Sequence, residues 1–184
     1  MHLDKHIKDF FHLVKIQQIE IYNEFSLQHE LGVYLRNHLD STFKIQFERN
    51  IRFFGIQEKL IKKELDIAIY NSQTNEKYAI ELKFPKNGQH PESMFSFSKD
   101  IKFMEQIKEH GFTNTYAVTY VEDKLFYKGS NTSGIYAYFR SGHLLHGEII
   151  KPTGKKDEHF YINGSYQINW TSLDNDACYY IVTI

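Results

Sequence analysis

Two short runs constrain the fold most: residues 64–70 and residues 77–84, each rich in strand formers and separated by the polar stretch 71–76. That separation is short enough for a hairpin, so the runs are expected to be antiparallel neighbours. The two-residue period of a strand places Tyr78, Ile80, Leu82 and Phe84 on one face and Ala79, Glu81 and Lys83 on the other. The same period sends Leu65, Ile67 and Ile69 to an apolar face and Asp66 and Ala68 opposite. If the strands pair, Asp66, Glu81 and Lys83 share a face.

The flanking sequence supplies helices. Leu3, Ile7, Phe10, Phe11 and Val14 recur at three- and four-residue spacing, which predicts a first helix from Leu3 to about Ile19. Leu27, Leu31, Tyr34, Leu35 and Leu39 form a second stripe, with Asn23 or Ser26 available as N-cap and a stop near residues 40–42. Phe43, Ile45 and Phe47 then alternate with polar residues as a half-buried strand, and residues 51–54 either extend it or pair with it. After Pro85 a helix is predicted over residues 93–109, closed by His110 and Gly111, with a strand at residues 115–121.

Beyond Lys128 the pattern predicts short β segments at residues 135–140, 144–150, 160–162, 165–170 and 179–183. Asn163-Gly164 is a two-residue hairpin signal between two of them. The order predicts an α/β or α+β layered domain with a mixed sheet. A chain of 184 residues fits one domain, with a core at about residues 24–128 and a β-rich extension at 129–184. That extension is either an edge addition to the same sheet or a small subdomain.

Hydrophobic residues at 41% and charged residues at 24% argue against disorder. The formal charge of −1 excludes bulk attraction to nucleic acid or an acidic membrane, so such a partner needs a local patch. Residues 36–63 offer one, in Arg36, Lys44, Arg49, Arg52, Lys59, Lys62 and Lys63, and Lys86, Lys99 and Lys102 could extend it. No run of 18 apolar residues is present, and the first segment alternates charged and apolar residues, which predicts a cytoplasmic protein without a membrane partner. The single cysteine, Cys178, is read as a small core hydrophobe.

Asp66 interrupts a run otherwise suited to burial, and a buried carboxylate costs several kcal/mol unless it is paired, hydrogen-bonded or bound to a cation. Glu30 raises the same question, three residues after Leu27 and four before Tyr34. Hard oxygen ligands of this type suit Mg²⁺, with Asp66 and Glu81 as direct ligands and Mn²⁺ able to substitute. Such an ion lowers the pKa of a bound water and neutralises charge on a phosphodiester, while Lys83 orients or deprotonates the nucleophile.

Asp66, fourteen intervening residues, then Glu81-Leu82-Lys83, preceded by the helical Glu30, resembles the PD-(D/E)xK nuclease superfamily with its restriction-endonuclease-like fold. The resemblance covers about residues 27–121. It implies a metal-dependent nuclease; DNA ahead of RNA and endonucleolytic ahead of exonucleolytic cleavage are the expectations, with both alternatives left open by the sequence. It also implies that Asp66 and Glu81 hold one or two Mg²⁺ ions, that the Leu82 carbonyl is a backbone ligand, that Lys83 positions the attacking water, and that Glu30 supports the metal site directly or through water. Leu65 stands where the family name puts Pro. Gln106 is followed four residues later by His110, so the Gln-x-x-x-Tyr element of the RecB-like branch is not matched. A homodimer would place two symmetric sites on a duplex.

The three-residue pattern also occurs at Asp100-Ile101-Lys102 and Glu122-Asp123-Lys124. The first falls in a helical pattern and the second in a charged turn, so only Glu81 and Lys83 lie inside an apolar strand. Two rival readings stand beside the nuclease. One is a non-catalytic nucleic-acid- or protein-binding module with the same fold. The other is a cross-strand ion pair on a solvated sheet face, worth roughly 0.2–1 kcal/mol.

Overall fold

A computed structural model describes residues 2–154 and 158–184. The elements in chain order are α1 (Leu3–Lys15), α2 (Glu24–His38), β1 (Lys44–Asn50), β2 (Glu64–Tyr70), β3 (Lys77–Lys83), α3 (His90–Glu109), β4 (Asn114–Val121), α4 (Ile135–Arg140), β5 (Leu145–Ile150), β6 (His159–Tyr166), β7 (Thr171–Ser172) and β8 (Cys178–Thr183). Strands β1-β2-β3-β4-β8-β7 form one mixed sheet in that order, and β5-β6 a second. The class is the α+β arrangement expected.

The first three strands run as an antiparallel meander, whereas β3 and β4 are parallel and joined through α3. Parallel neighbours need such a crossover, and a helix supplies it. Helices α1 and α2 cover one sheet face, where Leu27 and Leu31 join a core with Ile67, Ile69, Tyr78, Ile80, Leu82, Tyr116 and Val118. Helix α3 covers the other, over Ala68, Ala79 and Ala117. These small side chains keep the sheet surface low, so the large residues of α3, Phe97, Ile101 and Met104, fill the layer.

Both candidate N-caps of α2 act together. Asn23 Oδ1 accepts from Ser26 N–H at 2.7 Å, and Ser26 Oγ accepts from Asn23 N–H at 3.0 Å, a reciprocal capping box. Gly32 faces the Phe47 ring so closely that a Cβ there would overlap it, so the glycine sets how near β1 lies to α2. Helix α1 stops at Lys15, short of the predicted Ile19, because Gln17 turns the chain with φ 59°.

Four expectations are corrected. Residues Ile51–Phe54 neither extend β1 nor pair with it but form a 3₁₀ turn, in which Asn50 accepts from Arg52 N–H and Gly55 closes with φ 82°. Ile135–Arg140 is helical: Ile135 and Phe139 are buried one turn apart, while Ala137, which would share their face in a strand, is only half-buried. Asn163-Gly164 is not a hairpin turn: β6 runs through it, and the pairs Leu145↔Tyr166 and Gly147↔Ile162 leave the two residues in a bulge. Their N–H groups donate instead to Glu105 of α3, at 3.1 and 2.6 Å. The predicted strand 165–170 is accordingly the end of β6 followed by non-strand chain.

The extension at 129–184 realises both alternatives. Strands β7 and β8 continue the main sheet beyond β4, while β5 and β6 lie apart and pack on α3. Cys178 is buried on β8. Among the described residues no helix is long and apolar enough to cross a membrane.

Candidate active site

The β2–β3 ladder is regular from Tyr70↔Lys77 to Ile67↔Ile80 and then ends. Beyond that point side chains replace backbone pairing. Asp66 N–H donates to Glu81 Oε1 at 3.3 Å, and Leu82 N–H donates to Asp66 Oδ2 at 2.7 Å. Each strand therefore satisfies an N–H with the other strand's carboxylate, and the two acids meet where the strands part.

The same point disturbs β1. Its register with β2 passes from Phe47↔Ile67 to Arg49↔Leu65, and Glu48 between them has φ 47°, a left-handed conformation uncommon outside glycine. Gln28 of α2 donates to Glu48 Oε1 and to the Asp66 carbonyl, the latter at 2.8 Å. Side-chain alternation also breaks here: Leu65 and Ala68 both join the α3-side core, while Ile67 and Ile69 face α2. The expected common face for Leu65, Ile67 and Ile69 is thus corrected.

Asp66, Glu81 and Lys83 do come together, but not on a solvated face. Glu81 is 1% exposed. Its carboxylate pairs with Lys62, from the segment before β2, and Lys62 also pairs with Asp100 of α3. Lys83 links three elements: its ammonium lies 3.2 Å from Glu24 Oε1 on α2, 3.7 Å from Asp100 Oδ2 on α3 and 2.9 Å from the Leu82 carbonyl. The other oxygen of Glu24 accepts from Phe84 N–H at 3.0 Å.

Glu30 is not part of this group. It is half-buried and pairs with its neighbour His29 at 3.1 Å. At about 100° per residue, Glu30 lies about 200° around the helix from Gln28 and about 120° from Glu24, so it faces away from Asp66. The α2 carboxylate that reaches the site is Glu24.

The electrostatics follow from burial. Desolvation pushes the Asp66 carboxyl up to about 6, against the opposing pull of the Leu82 N–H, Lys83 and Lys62. Glu81 is raised well above the ordinary carboxylate range, first by burial and then by the charge of Asp66. Burial opposes the charge of Lys62 and of Lys83, yet nearby carboxylates, Asp100 foremost, outweigh it and hold both above the ordinary lysine value. Both lysines are therefore charged at neutral pH.

A cleft of about 170 Å³ opens beside Asp66, lined by Glu24, Phe25, Gln28, Glu48, Asp66 and Leu82. Among the described residues no three His, Cys, Asp or Glu side chains converge as a ready metal site. The chemistry of the donor set nevertheless suits a hard cation. The carboxylates of Glu24, Glu48, Asp66, Glu81 and Asp100 face only two ammonium groups, and Asp66 Oδ1 receives no hydrogen bond from the described residues. Oxygen donors in excess of their counter-charge are what Mg²⁺ binds.

Sequence reasoning missed Glu24, Gln28, Glu48 and Asp100, and placed Lys62 only in the basic patch. Only Asp100 left a signal: it falls among Phe97, Ile101 and Met104 on the buried side of α3, the same misplacement that marked Asp66. Of the proposed phosphate patch, Lys62 is committed to Glu81 and Asp100, and Arg49 stacks on Phe53 at 3.6 Å. Lys86, Lys99 and Lys102 pair with Glu122, Glu158 and Glu105. No protein-family model matches the chain, and comparison with curated proteins and with solved structures returns no match.

Proposed function

We propose that the protein is a metal-dependent nuclease of the PD-(D/E)xK kind that hydrolyses phosphodiester bonds, with DNA as substrate and internal cleavage as its mode. One observation carries the reading: Asp66, Glu81 and Lys83 converge where the β2–β3 ladder ends, with more buried carboxylate than counter-charge. The surrounding order of helix, antiparallel meander, crossover helix and parallel strand supports it.

Asp66, Glu81 and the Leu82 carbonyl are the residues that would hold a divalent ion. When bound, such an ion neutralises charge on the phosphodiester and makes a water more acidic. Lys83 is held charged between Glu24 and Asp100, so it acts as a donor that orients the attacking water and steadies phosphate oxygens, not as the base. A homodimer would present two such sites to a duplex.

The test is cleavage of plasmid, linear duplex, single-stranded DNA and RNA with Mg²⁺ or Mn²⁺, comparing wild type with Glu81→Ala at equal purity. Metal-dependent cutting by the wild type alone is the expected result. Inertness of both proteins toward every substrate would favour a second reading, a binding module without catalysis. The pairing of Glu81 and Asp100 through Lys62 supports that alternative, since it partly balances their charge without an ion.

A further inference from the structure

We propose that Lys62 is a built-in counter-cation of Glu81, filling with its ammonium the place of a second divalent ion, so that the site takes one ion per chain. This rests on the nuclease reading and specifies its metal stoichiometry and an additional positioning residue.

Lys62 belongs to the segment between the 3₁₀ turn and β2, and its side chain is 29% exposed. Its ammonium contacts Glu81 Oε2 and Asp100 Oδ1. These carboxylates come from β3 and α3, with side chains 0% and 3% exposed. Two carboxylates from separate elements that share one cation form a bridging arrangement suited to a hard metal ion. Here the cation is covalently attached to the chain.

Asp100 strengthens the point. Its buried oxygens meet no donor among the described residues other than the ammonium groups of Lys62 and Lys83, so these two cations alone match it. A buried carboxylate with no neutral donor demands a cation beside it, because its desolvation is otherwise uncompensated.

The remaining capacity lies on the other side. Glu81 Oε2 pairs with Lys62, but Oε1 accepts only a 3.3 Å bond from Asp66 N–H and keeps a lone pair for an ion at Asp66, whose Oδ1 has no donor among the described residues and which lines the cleft with Glu24, Glu48 and Leu82. One ion has oxygen ligands there. A second, between Glu81 and Asp100, would have to displace Lys62.

The experiment is titration of the full chain with Mn²⁺ by calorimetry, with far-UV circular dichroism to verify folding. Wild type is expected to bind one Mn²⁺, Lys62→Ala two, and Lys62→Arg one. The double variant Lys62→Ala/Asp100→Asn is expected to return to one, an effect that a merely structural lysine would not produce. If Lys62→Ala fails to fold, Lys62→Gln removes the charge at similar length and is also expected to bind two. Two ions on the wild type, or one on a folded Lys62→Ala or Lys62→Gln, would overturn the inference and leave the nuclease reading intact. No Mn²⁺ on the wild type would overturn both.

Discussion

The two halves of the β2–β3 hairpin are built from the same strands but solve opposite problems. In the turn-side half, Ile67 to Tyr70 pair residue by residue with Lys77 to Ile80, and Ile67, Ile69, Tyr78 and Ile80 are fully buried. In the open half, side chains of Asp66 and Glu81 take over the backbone donors, and Lys62, Lys83, Asp100 and Glu24 gather around them. The first half gains stability from apolar burial. The second keeps desolvated acids that weaken the fold but favour a cation, the usual conflict between stability and activity.

Lys83→Ala offers the largest contrast: it should reduce cleavage by about 10²- to 10³-fold, the scale of losing one donor at a developing charge. Single-turnover rates with Mg²⁺ would measure it, and full activity would remove Lys83 from the mechanism. In the closed half, Ile80→Ala should cost about 2–5 kcal/mol in urea denaturation, while cleavage per folded molecule stays near the wild-type rate. An equal loss of both would erase the distinction between the halves.

A third test uses pH. Asp66 ordinarily titrates near 3.8 but is pushed up to about 6 in the fold, so between those values the folded state holds a proton that the unfolded chain has released. The associated stability is complete below about pH 3.8 and is lost as pH rises through about 6. In EDTA, Asp66→Asn should therefore show a shallower decline across that window and exceed wild type at pH 8 by about 1–3 kcal/mol. Coincident urea-midpoint profiles would contradict the burial penalty assigned to Asp66. Added Mn²⁺ should stabilise the wild type more than the variant, because binding to the folded state alone raises stability.

The smallest effect concerns the helix that brings Glu24 to the site. Asn23→Ala removes one arm of the capping box and should cost about 1 kcal/mol of stability. Because Glu24 is the next residue, a modest fall in cleavage should accompany it, and rescue by Asn23→Asp would tie both effects to the cap. A variant equal to wild type in stability would show that tertiary packing alone holds this helix end.

Much of the fold was legible because local chemistry and burial agreed. The hairpin followed from two alternating runs and a polar spacer, and the start of α2 from Asn23 and Ser26 before an apolar stripe. Legibility failed where a distant partner redirected a local preference. Asn163-Gly164 has turn chemistry, but Glu105 offered its N–H groups acceptors within a bulge. Residues 135–140 have β-forming composition, but they fold as a helix that packs Ile135 and Phe139 into the core beside α3.

At the site, the sequence by itself determined the central strands and placed Asp66, Glu81 and Lys83 near one another, because strand period and hairpin length are local properties. Tertiary structure alone selected Glu24 over Glu30, brought in Lys62 and Asp100, and parted the strands at Asp66. The physical reason is that a carboxylate's environment depends on which elements close around it. Residues far apart in the chain supply the charges, and only the packed helices and sheet decide which of them meet.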